Sequence, residues 1–370
     1  MHAGTGREVR MPAAPAQIPT GVPGLDRLLN GGLRQGGLHA VVGGPGMGKS
    51  VLAHQIGSSI VRAGGKVLYL TALVETHQTL MSQARTFRFF DPTCVPNSFY
   101  YASLAPMLLQ AGLAGAREEI TRLVAHHSPT LVILDGVHAL RISARGALDY
   151  QQFIHQLEAQ AAVAGMTTLL LAHPAESGIS TDATFTIADA IFELCSEDVH
   201  LRQVRMFSVA KMRGVAHMGG RHTFRITPDG IHIFPRMESL AAHMESRLSN
   251  EVPPLPSPEQ LSVEIDGLEE MLNGGVDRNT STLVLGTPGS GKTLTGLAFL
   301  TAGAADGEPG LFLGYHEPPE VLVQKGEGVG FPIRHQVEAG LLHVQWRAPA
   351  ELLVDEEVER LMALIEGKEV

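Results

Sequence analysis

The 370 residues, 44% hydrophobic and 18% charged, have an ordinary soluble globular composition and are enough for about two domains of roughly 150 residues each. With 28 basic against 38 acidic side chains the net charge is −10, so the global field favours neither nucleic acid nor an anionic membrane and leaves room only for a local basic channel in an oligomer. No apolar run reaches the ~18 residues that a membrane helix needs.

Residues 1–17 are rich in Ala, Gly and Pro and lack an apolar secretory core, which predicts a disordered lead-in before a first domain at 18–245. Residues 24–33 (Gly-Leu-Asp-Arg-Leu-Leu-Asn-Gly-Gly-Leu) read as a short amphipathic helix closed by Asn-Gly-Gly, where glycine supplies the left-handed cap. A short buried strand at 39–42 then runs into Gly43, Gly44, Pro45, Gly46, Met47, Gly48, Lys49 and Ser50, and 51–56 continues as a helix. That stretch fits G-x-x-x-x-G-K-[ST] in the strand, loop, helix order that phosphate binding requires. Its glycines let successive N–H groups point at phosphate oxygens, Lys49 reaches the terminal phosphates, and the Ser50 hydroxyl ligates Mg²⁺.

Further along, 67–70 is a buried strand, 79–87 and 118–126 are helices, and 130–135 is four apolar residues ending in Asp135. This is a Walker B pattern, a central strand carrying a carboxylate to the Mg²⁺ shell beside the loop. A further buried strand at 167–172 completes a mostly parallel, doubly wound α/β sheet. Short strands at 204–210, 223–227 and 230–234, separated by Gly-rich and Pro-Asp-Gly turns, are expected to be antiparallel at the sheet edge. Cys94 and Cys195 have no metal-finger spacing and read as reduced thiols of a cytoplasmic protein.

The proline-rich stretch 253–258 marks a stiff linker, taken as 246–260, ahead of a second domain at 261–370. There the opening motif returns: Gly267 matches Gly24 and Lys292 matches Lys49 with one shift of 243 (267 − 24 and 292 − 49). The second loop contains Gly286, Gly289, Gly291, Lys292 and Thr293, with Thr293 as the metal hydroxyl, a predicted strand at 282–285 and a helix over 294–300. Residues 356–361 match 118–123 with a shift of 238 (356 − 118), which puts the second Walker B carboxylate near 373 (135 + 238). The second copy is therefore expected to lack its central strand, that carboxylate and its edge strands, as in a truncated chain or gene fragment.

Together these motifs, with Lys211-Met-Arg213-Gly and the closing Ile-Thr-Pro-Asp-Gly-Ile-His-Ile-Phe-Pro at 226–235, resemble the KaiC family of RecA-like ATPases with two tandem domains. The resemblance covers about 18–240 fully and 260–370 in part, and implies a duplicated RecA-like P-loop fold, ATP and Mg²⁺ as ligands, and a hexameric ring. It also implies that Lys211 and Arg213 reach the nucleotide of a neighbouring subunit, and a regulatory or signalling setting with protein partners. Two adjacent glutamates normally follow the family's second strand, the first being the base for the attacking water. Aligning on Glu75 and Glu317 leaves Val74 and His316 at that base position. Glu75 is then the remaining acid that can take the proton, and hydrolysis is expected to be slow. The family's phosphorylated Ser/Thr pair falls in the missing part, so no autokinase activity is assigned. Two other readings compete: a nucleotide-switched scaffold with negligible hydrolysis, and a RecA/RadA-like recombination ATPase, against which the net charge of −10 and the two cysteines both speak.

Overall fold

The computed structural model describes residues 16–72, 77–174, 183–199, 202–245, 259–348 and 352–368. It divides into two compact units, Met1–Glu245 and Ser246–Val370. Most of the expected lead-in and the proline-rich 253–258 lie outside the described residues, while Gln17 already belongs to a strand.

The first unit opens with β1 (Gln17–Ile18), α1 (Leu25–Leu28) and β2 (Leu33–Arg34), then β3 (Leu38–Gly43), α2 (Lys49–Arg62), β4 (Val67–Thr71), α3 (His77–Ala84), β5 (Phe99–Ser103), α4 (Ala105–His127) and β6 (Leu131–Asp135). It continues through α5 (Val137–Ser143), α6 (Ala147–Ala164), β7 (Thr167–Ala172), α7 (Ala183–Ile187), β8 (Ala190–Val199), β9 (Arg202–Met212), β10 (Arg221–Thr227), β11 (Gly230–Phe234) and α8 (Met237–Glu245).

Nine strands form one sheet in the order β11-β10-β9-β8-β3-β7-β6-β4-β5. The six from β8 to β5 run parallel, and β9, β10 and β11 extend the edge antiparallel. The central parallel strands β3, β7, β6 and β4 are buried along almost their whole length because both faces are covered. Val41, Tyr69, Ile133 and Leu169 pack with Leu52 and Ile56 of α2, while Ala40, Leu68, Val132 and Leu170 pack on the other side with Ile120 of α4 and Phe153 of α6. This is the α/β, RecA-like P-loop architecture with antiparallel edge strands.

Several elements differ from the sequence reading, which named nothing at β5, α5 or α6. Helix α4 starts at Ala105, well before 118, and bends at Gly112, whose φ is 61°. Helix α3 stops at Ala84, short of 87. Strand β8 has no counterpart in the sequence reading: its first half (Ala190, Ile191, Phe192) is buried and its last residues are exposed, so neither alternation nor a continuous apolar run holds along it.

The second unit contains β12 (Gln260–Leu261), α9 (Leu268–Met271), β13 (Val276–Asp277), α10 (Lys292–Ala305), β14 (Gly310–Gly314), α11 (Pro319–Glu327), α12 (Ile333–Glu338), β15 (Leu342–Trp346) and α13 (Val354–Lys368). The opening motif repeats in backbone detail: Asn30 and Asn273 have φ of 54° and 56°, and each is followed by two glycines at positive φ. A Cβ on Gly32 would lie 2.2 Å from the Ile18 carbonyl oxygen, and one on Gly275 would lie 2.1 Å from that of Leu261. Only glycine fits either place.

The strand expected at 282–285 is not formed, and this corrects the sequence reading: Leu283 is 79% and Leu285 82% exposed. The matching β3 of the first unit is held by β7 on one side and β8 on the other. Among the described residues of the second unit, β12 pairs with β13 and β14 with β15, and neither pair takes in this segment. A segment with strand propensity but no neighbouring ladder has nowhere to place its N–H and C=O groups except water.

Candidate functional site

Strand β3 delivers the first glycine-rich loop to the start of α2. Gly48 caps that helix at φ 99° and Gly46 turns at φ 73°, both left-handed conformations that favour glycine. A Cβ on Gly48 would lie 2.7 Å from Cδ1 of Ile226, and one on Gly43 would lie 2.6 Å from the Leu194 carbonyl oxygen on β8. The loop therefore lies close against the sheet, with Pro45 and Gly46 exposed at its crest and Gly44 and Met47 half-buried behind them. The Lys49 ammonium spans the loop, donating to the carbonyl oxygens of Gly43 at 2.7 Å and Gly44 at 2.9 Å. Burial lowers its pKa, and the Asp135 charge works the other way.

Asp135 is the last residue of β6, level with Thr71 of β4 and Leu171 of β7. Its Oδ2 accepts the Ser50 hydroxyl at 3.2 Å and the Tyr69 hydroxyl at 2.6 Å. Burial, then the neighbouring carboxylate, raises the Tyr69 pKa well above the usual phenol value, so the ring stays a donor. Behind Ser50, His54 Nδ1 lies 2.7 Å from the Ser50 carbonyl oxygen and Nε2 lies 3.1 Å from the Tyr101 hydroxyl. A carbonyl only accepts, so Nδ1 carries the proton and Nε2 accepts from Tyr101. Burial lowers the pKa of His54, which keeps the ring neutral. Two exposed histidines flank the same end of the sheet: His173, directly after β7, and His138, early in α5, with ring centroids 6.4 Å apart. Burial first, and then the Lys49 charge, lower the pKa of His173.

This donor set suits a polyphosphate carrying a hard divalent cation. The N-terminus of α2 opens on a loop whose Gly43 and Gly48 lie too close to Leu194 and Ile226 to carry side chains, a lysine crosses that loop, and a hydroxyl and a carboxylate stand within hydrogen-bond distance for an oxygen-liganded ion. The structure thus brings Lys49, Ser50 and Asp135 together. Glu75 and Val74 lie outside the described residues.

Lys211 and Arg213 belong to another part of the sheet. Lys211 pairs with Ile191, which pairs with Ala40 in the first half of β3, whereas the loop leaves β3 at Gly43. The Lys211 ammonium donates to the carbonyls of Phe185 and Thr186 at 3.0 and 2.8 Å, and the Arg213 guanidinium donates to those of Thr186 and Ile187 at 3.0 and 3.3 Å. Both stand toward the opposite strand ends from the loop of their own unit.

In the second unit Lys292 likewise donates to Gly286 and Thr287 carbonyls, both at 2.8 Å, with Gly289 and Gly291 at φ of 81° and 93°. Thr293 is exposed, and neither β14 nor β15 ends in a carboxylate. Glu317 accepts from Lys325 at 2.5 Å and His316 is exposed.

Sequence reasoning did not single out Tyr69, His54, Tyr101, His138 or His173. The signal available for two of them was strand register: Tyr69 sits two residues before Thr71, and Thr71 is level with Asp135, while Tyr101 is level with Tyr69.

The model of the family described as "ATPase: KaiC" matches residues 18–238 and 261–366. Among curated proteins, the circadian clock oscillator protein KaiC of Parathermosynechococcus lividus is 25% identical over 359 residues, covering 92% of this chain and 63% of the relative. The protein of the same name from Thermostichus vulcanus is 27% identical over 346 residues, covering 89% and 63%. A UPF0273 protein of Methanopyrus kandleri is 41% identical over 86 residues, covering 23% of this chain and 34% of its own. The chain thus spans less than two thirds of the length of the two KaiC relatives. With the family model matched across both units and the P-loop geometry in place, the chain belongs to the KaiC ATPase family.

Proposed function

We propose that the first unit binds Mg²⁺-ATP and hydrolyses it slowly, and that the bound nucleotide holds copies of the chain in a ring. The observation that carries this is the convergence of Lys49, Ser50 and Asp135 at one end of the sheet, with Ser50 and Asp135 3.2 Å apart. Residues 43–50 receive the phosphates through their N–H groups and Lys49 supplies positive charge to the terminal phosphates. Ser50 and Asp135 hold the metal, and bound Mg²⁺ neutralises phosphate charge. Glu75 takes the proton of the attacking water from one position beyond Val74, where a misplacement of even ~1 Å can cost ~10²-fold in rate.

Lys211 and Arg213, placed away from their own loop, contact the nucleotide held by a neighbouring copy, as a ring of like subunits demands. The second unit, with Lys292 and Thr293 in its loop but His316 at the family's base position, contributes little hydrolysis. Both KaiC relatives are named as clock oscillator proteins, which supports a regulatory or signalling role with protein partners for this chain. The valine at the family's base position favours a second reading, a nucleotide-switched scaffold with negligible turnover.

Sedimentation with and without Mg²⁺-ATP, together with ATP turnover, tests these readings on three chains. Wild type should assemble on ATP, Lys49→Ala should stay folded and bind no nucleotide, and Arg213→Ala should bind ATP yet fail to assemble or turn over. A folded Lys49→Ala that keeps wild-type ATP affinity refutes the site. Assembly without measurable turnover selects the scaffold.

A further inference from the structure

The duplication supplies an internal control for the core beneath the first loop. With the shift of 243, His54, Tyr69 and Tyr101 correspond to Leu297, Phe312 and Val344 (54 + 243, 69 + 243, 101 + 243). The structure keeps that correspondence: Tyr69 is level with Tyr101 across β4 and β5, and Phe312 is level with Val344 across β14 and β15. In the second unit all three positions belong to one apolar cluster. In the first unit they are polar, although His54 is only 4% and Tyr69 0% exposed. Burying such groups is costly unless each finds a partner, and in the second unit an apolar trio, Leu297 buried and Phe312 and Val344 half-buried against its cluster, occupies the matching positions. Packing alone therefore does not account for the polar set.

What the polar set touches does. Tyr69 donates to Asp135 Oδ2 at 2.6 Å, the same oxygen that receives the Ser50 hydroxyl. His54 donates to the Ser50 carbonyl, accepts from Tyr101, and stacks on the Tyr69 ring with centroids 4.7 Å apart. Through these bonds and this stack the trio converges on Ser50 and Asp135, the two groups assigned to the metal.

We propose that Tyr69 is a positioning residue for the Walker B carboxylate, holding Asp135 Oδ2 beside the Ser50 hydroxyl so that the metal site of the first unit is formed before the ion arrives. This rests on the reading of that unit as a Mg²⁺-ATP site. Asp135 ends its strand and is half-exposed, so its side chain would otherwise sample several rotamers. The phenol removes that freedom in advance, and its own position is fixed by the His54 ring, which Tyr101 braces from behind. The second unit, with Phe312, has no hydroxyl to do this.

Tyr69→Phe installs the second unit's residue and deletes one oxygen, and the triple variant His54→Leu, Tyr69→Phe, Tyr101→Val installs its whole trio. Both are made in the full chain, with thermal melting as the check on folding. Two affinities are read: that for ATP in excess EDTA, and that for Mn²⁺, measured by electron paramagnetic resonance, in the presence of saturating ATP. ATP affinity in EDTA should stay within about twofold of wild type for Tyr69→Phe, while Mn²⁺ affinity should weaken about tenfold or more, as for other partners of metal-ligating carboxylates. The triple variant should weaken it at least as far. A folded Tyr69→Phe that binds Mn²⁺ within twofold of wild type overturns the proposal, as does an equal loss of ATP affinity in EDTA. If wild type binds ATP but shows no ATP-dependent Mn²⁺ site, the positioning role fails while nucleotide binding stands; if it binds no ATP, the Mg²⁺-ATP reading and the proposal fall together.

Discussion

Replacing Gly43 by alanine tests how tightly the first loop is tied to the sheet. The added Cβ would sit 2.6 Å from the Leu194 carbonyl oxygen and 3.3 Å from Cβ of both Leu194 and Met47, where ordinary contact begins at 3.4 Å. The closest atom is backbone, and it lies on the strand directly paired with Gly43, so relief requires β3 and β8 to part at the root of the loop. Overpacking of this kind costs about 1–3 kcal/mol. Gly44→Ala is the matched control, because its Cβ meets nothing nearer than Met47 Cγ at 3.8 Å and its φ is not in the left-handed region. Both substitutions reduce unfolded-chain entropy alike, so their difference isolates the clash. At roughly 2–4 °C per kcal/mol for a unit of this size, Gly43→Ala should melt about 2–12 °C below Gly44→Ala in scanning calorimetry without nucleotide. Coincident melting curves would refute the claim that the approach to Leu194 is rigid.

Two further outcomes follow from buried and exposed groups. His39 is 1% exposed, and burial lowers its pKa below the ordinary 6.5, so the unfolded chain takes up the proton first. Its contribution to stability is complete above about pH 6.5 and is lost as pH falls below that value. His39→Leu should flatten the decline in melting temperature between about pH 7 and 5, and an unchanged slope would show that His39 is not part of it. In the second unit Leu285 is 82% exposed, so Leu285→Ser should change stability in urea by no more than about 0.5 kcal/mol. A loss of about 2 kcal/mol or more would mean that 282–285 is a paired, buried strand in solution.

The local code of this chain was legible without a structure because its signals are short-range. Glycines at 46 and 48 adopt the positive φ that their motif requires, each Asn-Gly-Gly closes its helix in left-handed turns, and the apolar run ending in Asp135 becomes a buried strand whose last residue meets Ser50. Such features depend on a residue's own backbone preference or on neighbours a few positions away. The same reasoning gave residues 39–42 and 282–285 equal standing as strands, and the tertiary structure separated them. One is flanked by β7 and β8, whereas among the described residues no strand pairs with the other, and a strand, unlike a helix, takes its hydrogen bonds from segments far along the chain. Register likewise decided what no motif contains: Tyr69 reaches Asp135 across 66 positions, and Lys211 lies level with Ile191, itself level with Ala40, away from the loop of its own unit. Sequence determined which groups the chain carries to the ends of its strands; the order and stagger of those strands decided which of them meet.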